Sequence, residues 1–207
     1  MALIEQSQAL IDIGLFMPAL REIIVGSWND YNEDYSAKIR LIHNATTRAN
    51  ILHDHQVARS SRFAVENGFE VADLDRMKIL VIGNYAIRFK KFDEFLGSSN
   101  HPTKQVKSFR NQVSLSLPGI SETYNLEAGY QLTEDQTKIY KTWLIQPSGK
   151  GFKWNLELMD SGSKSIVEDL LAKSQANNEY QNVEETAVRG KTQENKVTNI
   201  TKFKPKS

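Results

Sequence analysis

The sequence contains no cysteine. That excludes disulfide staples, thiol nucleophiles and zinc or iron–sulfur centres held by thiolates. No apolar run approaches the roughly 20 residues that span a bilayer. An excess of charge is missing too: 26 Lys and Arg stand against 25 Asp and Glu, a formal charge of +1. The chain as a whole therefore has no electrostatic pull toward nucleic acid or anionic lipid. Several catalytic signatures are also absent: the G-x-S-x-G elbow, H-E-x-x-H, the Walker A loop and G-x-G-x-x-G. The acid-x-Lys element of metal-dependent nucleases occurs only at Glu194-Asn195-Lys196. No cofactor is expected. What remains is a 40% hydrophobic, 9% aromatic chain of 207 residues, enough for one compact core.

The first 27 residues carry apolar positions at helical spacing, including Leu3, Ile4, Leu10, Ile11, Ile13, Leu15 and Phe16. Glu5 and Asp12 interrupt the stretch, and Arg21 is its first basic residue, which is not the order of a secretion signal. A cytoplasmic amphipathic helix or helix pair is expected. Pro18 should end or kink the first piece, because it has no amide hydrogen and disfavours helical geometry at Met17. Trp28 to Tyr35 is acidic and polar and reads as a turn, with Ser36 as the next N-cap.

Residues 37 to 67 lack Gly and Pro and suit one long helix, stopped by Gly68. Ile42, Ala45, Ala49, Leu52, Gln56 and Phe63 form its expected core face. Arg48, His55, Arg59 and Arg62 fall on a narrow stripe opposite, with Arg40 and Thr47 nearby. Five basic residues stand against one acid between residues 36 and 65, and three of the four His lie there. One reading is a solvated or internally paired face. The other is a phosphate-binding face, since guanidinium offers two parallel donors to phosphate and His moves protons near neutral pH.

The spacing Arg48-Ala-Asn-Ile-Leu-His53 is similar to the R-x4-6-H element of HEPN ribonucleases, and Arg48 to His55 to its longer form. That resemblance implies metal-independent RNA cleavage by an Arg and a His meeting at a cleft, often across a dimer. Only Arg48 and His55 share a helix face, because His53 lies about 140° from Arg48. The HEPN fold is all-helical, and this chain is not. His53-Asp54-His55 is a poor metal pair, since neighbours two apart on a helix point to nearly opposite sides.

After Gly68 the period changes from helix to strand. Lys78–Gly83 and Ala86–Phe92 read as a hairpin turning at Gly83-Asn84. Arg88 and Lys90 then share one sheet face as a second basic spot. A connection follows, with a helix over Lys104–Gln112 capped by Thr103, a turn at Leu117-Pro118-Gly119-Ile120, and three further strands, Asn125–Thr133, Lys138–Gln146 and Phe152–Met159. Asp73 and Asp75 read as a solvated loop, and Ser148-Gly-Lys-Gly151 as a plain hairpin turn. The expected fold is α+β: N-terminal helices (1–68) on an antiparallel sheet of about five strands (69–160). The domain is expected to span 1–174, ending in a short helix over 161–174. The polar stretch 175–207 reads as a flexible tail. From Arg189 on, this tail has six basic residues against one acid, a net of +5.

Four segments together are distinctive: Ile87-Arg-Phe-Lys-Lys-Phe-Asp-Glu-Phe-Leu-Gly-Ser-Ser-Asn-His-Pro-Thr103, Arg48-Ala-Asn-Ile-Leu-His-Asp54, Leu117-Pro-Gly-Ile120 and Ala128-Gly-Tyr130. Over about residues 40 to 158 they resemble a family of bacterial and prophage proteins. Its members tend to be encoded beside regulators with a helix-turn-helix and an ImmA/IrrE-like metallopeptidase domain. The resemblance implies the effector half of a toxin–antitoxin or phage-defence pair and brings no catalytic motif with it. Two functions are thus expected. The first is a cytoplasmic effector acting on RNA or DNA, with Arg48 and His55 catalytic and Arg59, Arg62, Arg88 and Lys90 binding nucleic acid. The second is a non-catalytic module that works through a neighbour-encoded antitoxin or regulator protein. A homo-oligomer fits either; a membrane partner fits neither.

Overall fold

The computed structural model describes residues 3–74, 77–98, 103–117, 120 and 122–159. Helix α1 (Gln6–Ile13) passes through a short turn, Gly14–Phe16, into α2 (Met17–Asp34). Pro18 therefore begins the second helix instead of ending the first, and sits where the missing amide hydrogen costs nothing. The expected turn over Trp28 to Tyr35 is helical as far as Asp34. Trp28, Tyr31 and Tyr35 recur on one face, and Tyr31 packs against both other rings and against His43. The acids between them project from α2 on other faces.

The expected single helix is two. Helix α3 (Ala37–Ile42) ends at His43, and α4 runs Ala45–Asn67. Asn44 makes the break: its side chain accepts from the Thr47 amide at 2.8 Å, which competes with helix continuation. Gly68 closes α4 with φ of 72°, the left-handed cap expected of it. The core face is accordingly shorter than expected. Leu52, Gln56, Ser60 and Ala64 are buried, whereas Ile42 is 80% exposed and Ala45 is exposed.

Six strands form one sheet in chain order: β1 (Glu70–Leu74), β2 (Met77–Ile82), β3 (Tyr85–Lys91), β4 (Tyr124–Leu132), β5 (Ile139–Ser148) and β6 (Gly151–Glu157). The extra strand is β1, a short acidic edge strand that includes Asp73, read from sequence as loop. Its acids obscure the alternation, but a charged edge also resists pairing with other chains. The sheet is mixed. β3 and β4 run parallel, because the chain between them makes a long crossover that includes α5 (Lys104–Arg110). Thr103 caps α5, its hydroxyl accepting from the Val106 amide. One sheet face, with Leu80, Ile87, Leu126 and Leu144, packs under α1, α2 and α4. The other carries Ile79, Val81 and Ala86 against Phe109 of α5.

One irregularity positions everything that follows. β3 pairs with β4 along its full length, Tyr85 to Lys91, but with β2 only from Tyr85 to Ile87. Met77 to Ile79 of β2 pair instead with β1 alone. Beyond Ile87 the sheet therefore opens on the β2 side of β3. On its other side β3 is held tightly: a Cβ added at Gly129 would lie 2.0 Å from the Lys90 carbonyl oxygen. No described helix is long and apolar enough to cross a membrane. The expectations for residues 160–207 lie outside the described residues.

Because backbone, not a movable side chain, fills the space beside Gly129, Gly129→Ala should destabilise the fold by roughly 1–3 kcal/mol. Urea unfolding should show a lower midpoint at unchanged slope; an unchanged midpoint would mean that β3 and β4 part without cost.

Candidate functional site

The stripe singled out from sequence is compensated in part, at Arg59 and His55. Arg59 lies across Gly26 of α2, so close that a Cβ there would sit 2.2 Å from its guanidinium. It donates two hydrogen bonds of 2.6 Å to the Asp30 carboxylate and reaches Glu22 at 3.5 Å. The Arg59 hydrogen bond holds the Asp30 carboxyl below its ordinary range, and the same bond raises the guanidinium. His55 also faces α2, 3.6 Å from Asp34 and 3.9 Å from Asp30. Arg62 is exposed and lies within electrostatic reach of Asp30. Arg48 turns elsewhere, donating at 2.5 Å to Gln136 in the β4–β5 turn. Of the two readings, the internally paired one holds for Arg59 and His55, and the shared phosphate-binding face is corrected. Arg59 and His55 join α4 to α2, and Arg48 and His55 are drawn to separate partners. The reason is the unforeseen length of α2, which brings Asp30 and Asp34 alongside α4.

Arg88 is corrected in a second sense. It is only 2% exposed and ion-paired to Glu127, which is fully buried on β4. Arg110 of α5 donates to the other Glu127 oxygen at 2.6 Å, and Ser98 donates to that oxygen at 3.1 Å. Arg88 also stacks on the Phe109 ring, 4.7 Å from its centroid. Arg110 continues to the β5–β6 hairpin, where the carbonyls of Gly149 and Gly151 accept at 2.8 and 2.9 Å. Those glycines therefore belong to a plain turn gripped by a guanidinium, as expected. The buried cluster holds two cations and one anion, so it carries an uncompensated positive charge.

That charge lies beneath the opening in the sheet. A cavity of ≈ 710 Å³ there is lined by His53, Met77, Lys78, Arg88, Phe89 and Lys90, and by residues 103–106 at the start of α5. A second, also ≈ 710 Å³, lies between α4 and the β3–β4 pair. It too is lined by His53, Phe89 and Lys90, so the two chambers share a waist. Among the described residues no Asp or Glu lines either one. Lys78 is paired to Asp73, but Lys90, Lys91 and Lys104 have no carboxylate partner among the described residues. Lys90 feels Arg88 on its own strand, Glu127 on β4, Arg110 on α5 and the imidazole of His53 on α4. Burial, reinforced by the two guanidinium groups against Glu127, pushes its ammonium from 10.5 down to about 8. Burial first, then Lys90, also lowers His53, so its imidazole is neutral at pH 7.

The sequence did place Arg88 and Lys90 together. Missing was His53, set aside because it lies off the Arg48 stripe; that same offset turns it toward β3. Among the described residues no group of three or more His, Asp or Glu is placed to hold a metal ion. Comparison of the chain with family models, curated proteins and solved structures finds no match.

Removing the one buried anion should be costly. Glu127→Gln would leave two buried guanidinium groups facing a neutral amide, and a loss of roughly 3–5 kcal/mol is expected in thermal or urea unfolding. A loss under about 1 kcal/mol, the range of an exposed ion pair, would show that the cluster is not desolvated.

Proposed function

We propose that this protein binds the sugar–phosphate chain of a nucleic acid in the groove at the sheet opening. Lys90 and His53 stand at its waist, and Lys91 and Lys104 line its two chambers. One observation carries the reading: among the described residues, a recessed ammonium in no salt bridge, in a groove with no carboxylate in its lining. A half-buried ammonium that feels only an anion already shared by two guanidinium groups favours an external one. The chain as a whole is near-neutral, so its net charge supplies no general attraction and binding would be a property of the site. Arg48, His55, Arg59 and Arg62 are not part of this proposal, and Arg88 acts through the field it exerts from below.

The test uses the titration of Lys90. Anions bind its protonated form, so affinity for a labelled single-stranded oligonucleotide holds below pH 8 and falls as pH rises through about 8. Ordinary lysines would keep binding constant well above that range. Lys90→Arg should remove the pH dependence. Lys90→Gln should weaken binding at pH 7 and lower the slope of log affinity on log salt by about 1. Affinity unaffected by Lys90→Gln would place any binding elsewhere.

A second reading, cleavage, is favoured by one further fact: a neutral imidazole beside a cationic ammonium. His53 would take the proton from a ribose 2′-hydroxyl, and its oxygen would attack the adjacent phosphorus. The 5′-oxygen would leave with a proton from Lys90. The products would be a 2′,3′-cyclic phosphate and a 5′-hydroxyl, formed without metal. Incubation of single-stranded RNA in EDTA should yield those ends, and His53→Ala should abolish them; intact RNA would leave a binding module only. A cleaving protein would fit the effector role implied by the family resemblance, and a binding module the role of one half of a protein complex.

A further inference from the structure

We infer that the chamber between α4 and the β3–β4 pair receives an unpaired nucleobase, so the groove takes single-stranded and not duplex nucleic acid. This rests on the phosphate-binding reading above and adds the part of the ligand that phosphate contacts leave undefined.

The chamber is built rather than incidental. One face of α4 forms its wall, with Ala45, Ala49, His53 and Gln56 recurring at turns of the helix. The two alanines leave the space that larger side chains would fill. Phe89 and Tyr130, both almost wholly buried, form the floor. Gln56 is the decisive group. It is 2% exposed, and its Nε2 is buried with no hydrogen-bond partner. Buried amide donors are ordinarily satisfied, so this one calls for an acceptor from outside the protein. The Tyr130 hydroxyl, on the floor strand, likewise has no hydrogen bond among the described residues.

The chemistry selects the ligand. The deep end offers an amide donor, a hydroxyl and apolar ring carbons; the waist offers cations. A ligand that answers both has a flat, carbonyl-bearing group a short distance from a phosphate. A nucleotide fits, whereas inorganic phosphate would leave Gln56 unpaired and an acidic peptide would bring a second charge to an apolar floor. In a duplex the base edge is already paired and stacked, so only a strand whose bases can splay outward reaches Gln56.

The test compares three ligands of equal length by fluorescence anisotropy on the full chain: a single-stranded RNA, the same strand made abasic, and its duplex. The intact strand should bind roughly tenfold tighter than the other two, the loss of one base contact. Gln56→Leu and Gln56→Met should erase that advantage while the abasic strand binds as before. Lys90→Gln should weaken all three. Equal affinity for all three strands, each still dependent on Lys90, would overturn the base chamber and leave the phosphate reading standing. No binding of any strand at low salt would overturn both. Stronger binding of a polyglutamate peptide than of the intact strand would point to a protein partner and also overturn the inference.

Discussion

The fold turns on a carboxylate that has no contact with water. Glu127 on β4 holds Arg88 on β3, Arg110 on α5 and Ser98, and through Arg110 it reaches the β5–β6 hairpin. Four chain segments distant in sequence thus meet at one side chain. Such a cluster repays its desolvation only if every member is satisfied, which leaves the parallel β3–β4 pairing and the position of α5 little freedom. The same arrangement is unbalanced by design of its parts: two guanidinium groups share one carboxylate. The surplus charge cannot be hydrated from inside, and it acts on whatever lies above it.

Lys90 lies above it. Its depressed ammonium and the neutral imidazole of His53 are consequences of burial and of that field. The opening in the sheet supplies access. Had β2 continued along β3 past Ile87, strand and side chains would have closed the groove and Lys90 would face protein. Instead β2 turns its first residues to β1, and α4 and α5 border the gap. Site and charged core are therefore one system, with the groove as its solvent-facing end.

Sequence reasoning recovered the five long strands, the cap at Thr103, the stop at Gly68 and the shared face of Arg88 and Lys90. These are local properties, set by alternation, capping and left-handed tolerance within a few residues. It failed where a distant partner decided. The run Trp28 to Tyr35 has loop composition, yet three aromatics at helical spacing and Arg59 on another helix make it a helix end. The Arg/His stripe was correctly placed on one side of α4. Whether that side met solvent or acids depended on α2, whose Asp30 lies 29 residues before Arg59.

By itself, then, the amino-acid order determined that this chain is α+β, that its helices come first, and that one strand pairs a guanidinium with an ammonium on a common face. Only the tertiary structure decided which cations are free. Charge is written in the sequence, but neutralisation is a matter of distance: Arg59 found Asp30, Arg88 found Glu127, and Lys90 is in no salt bridge among the described residues. Coulomb energy at a few ångströms in a poorly hydrated interior outweighs any pattern along the chain, and no periodicity encodes which carboxylate will arrive.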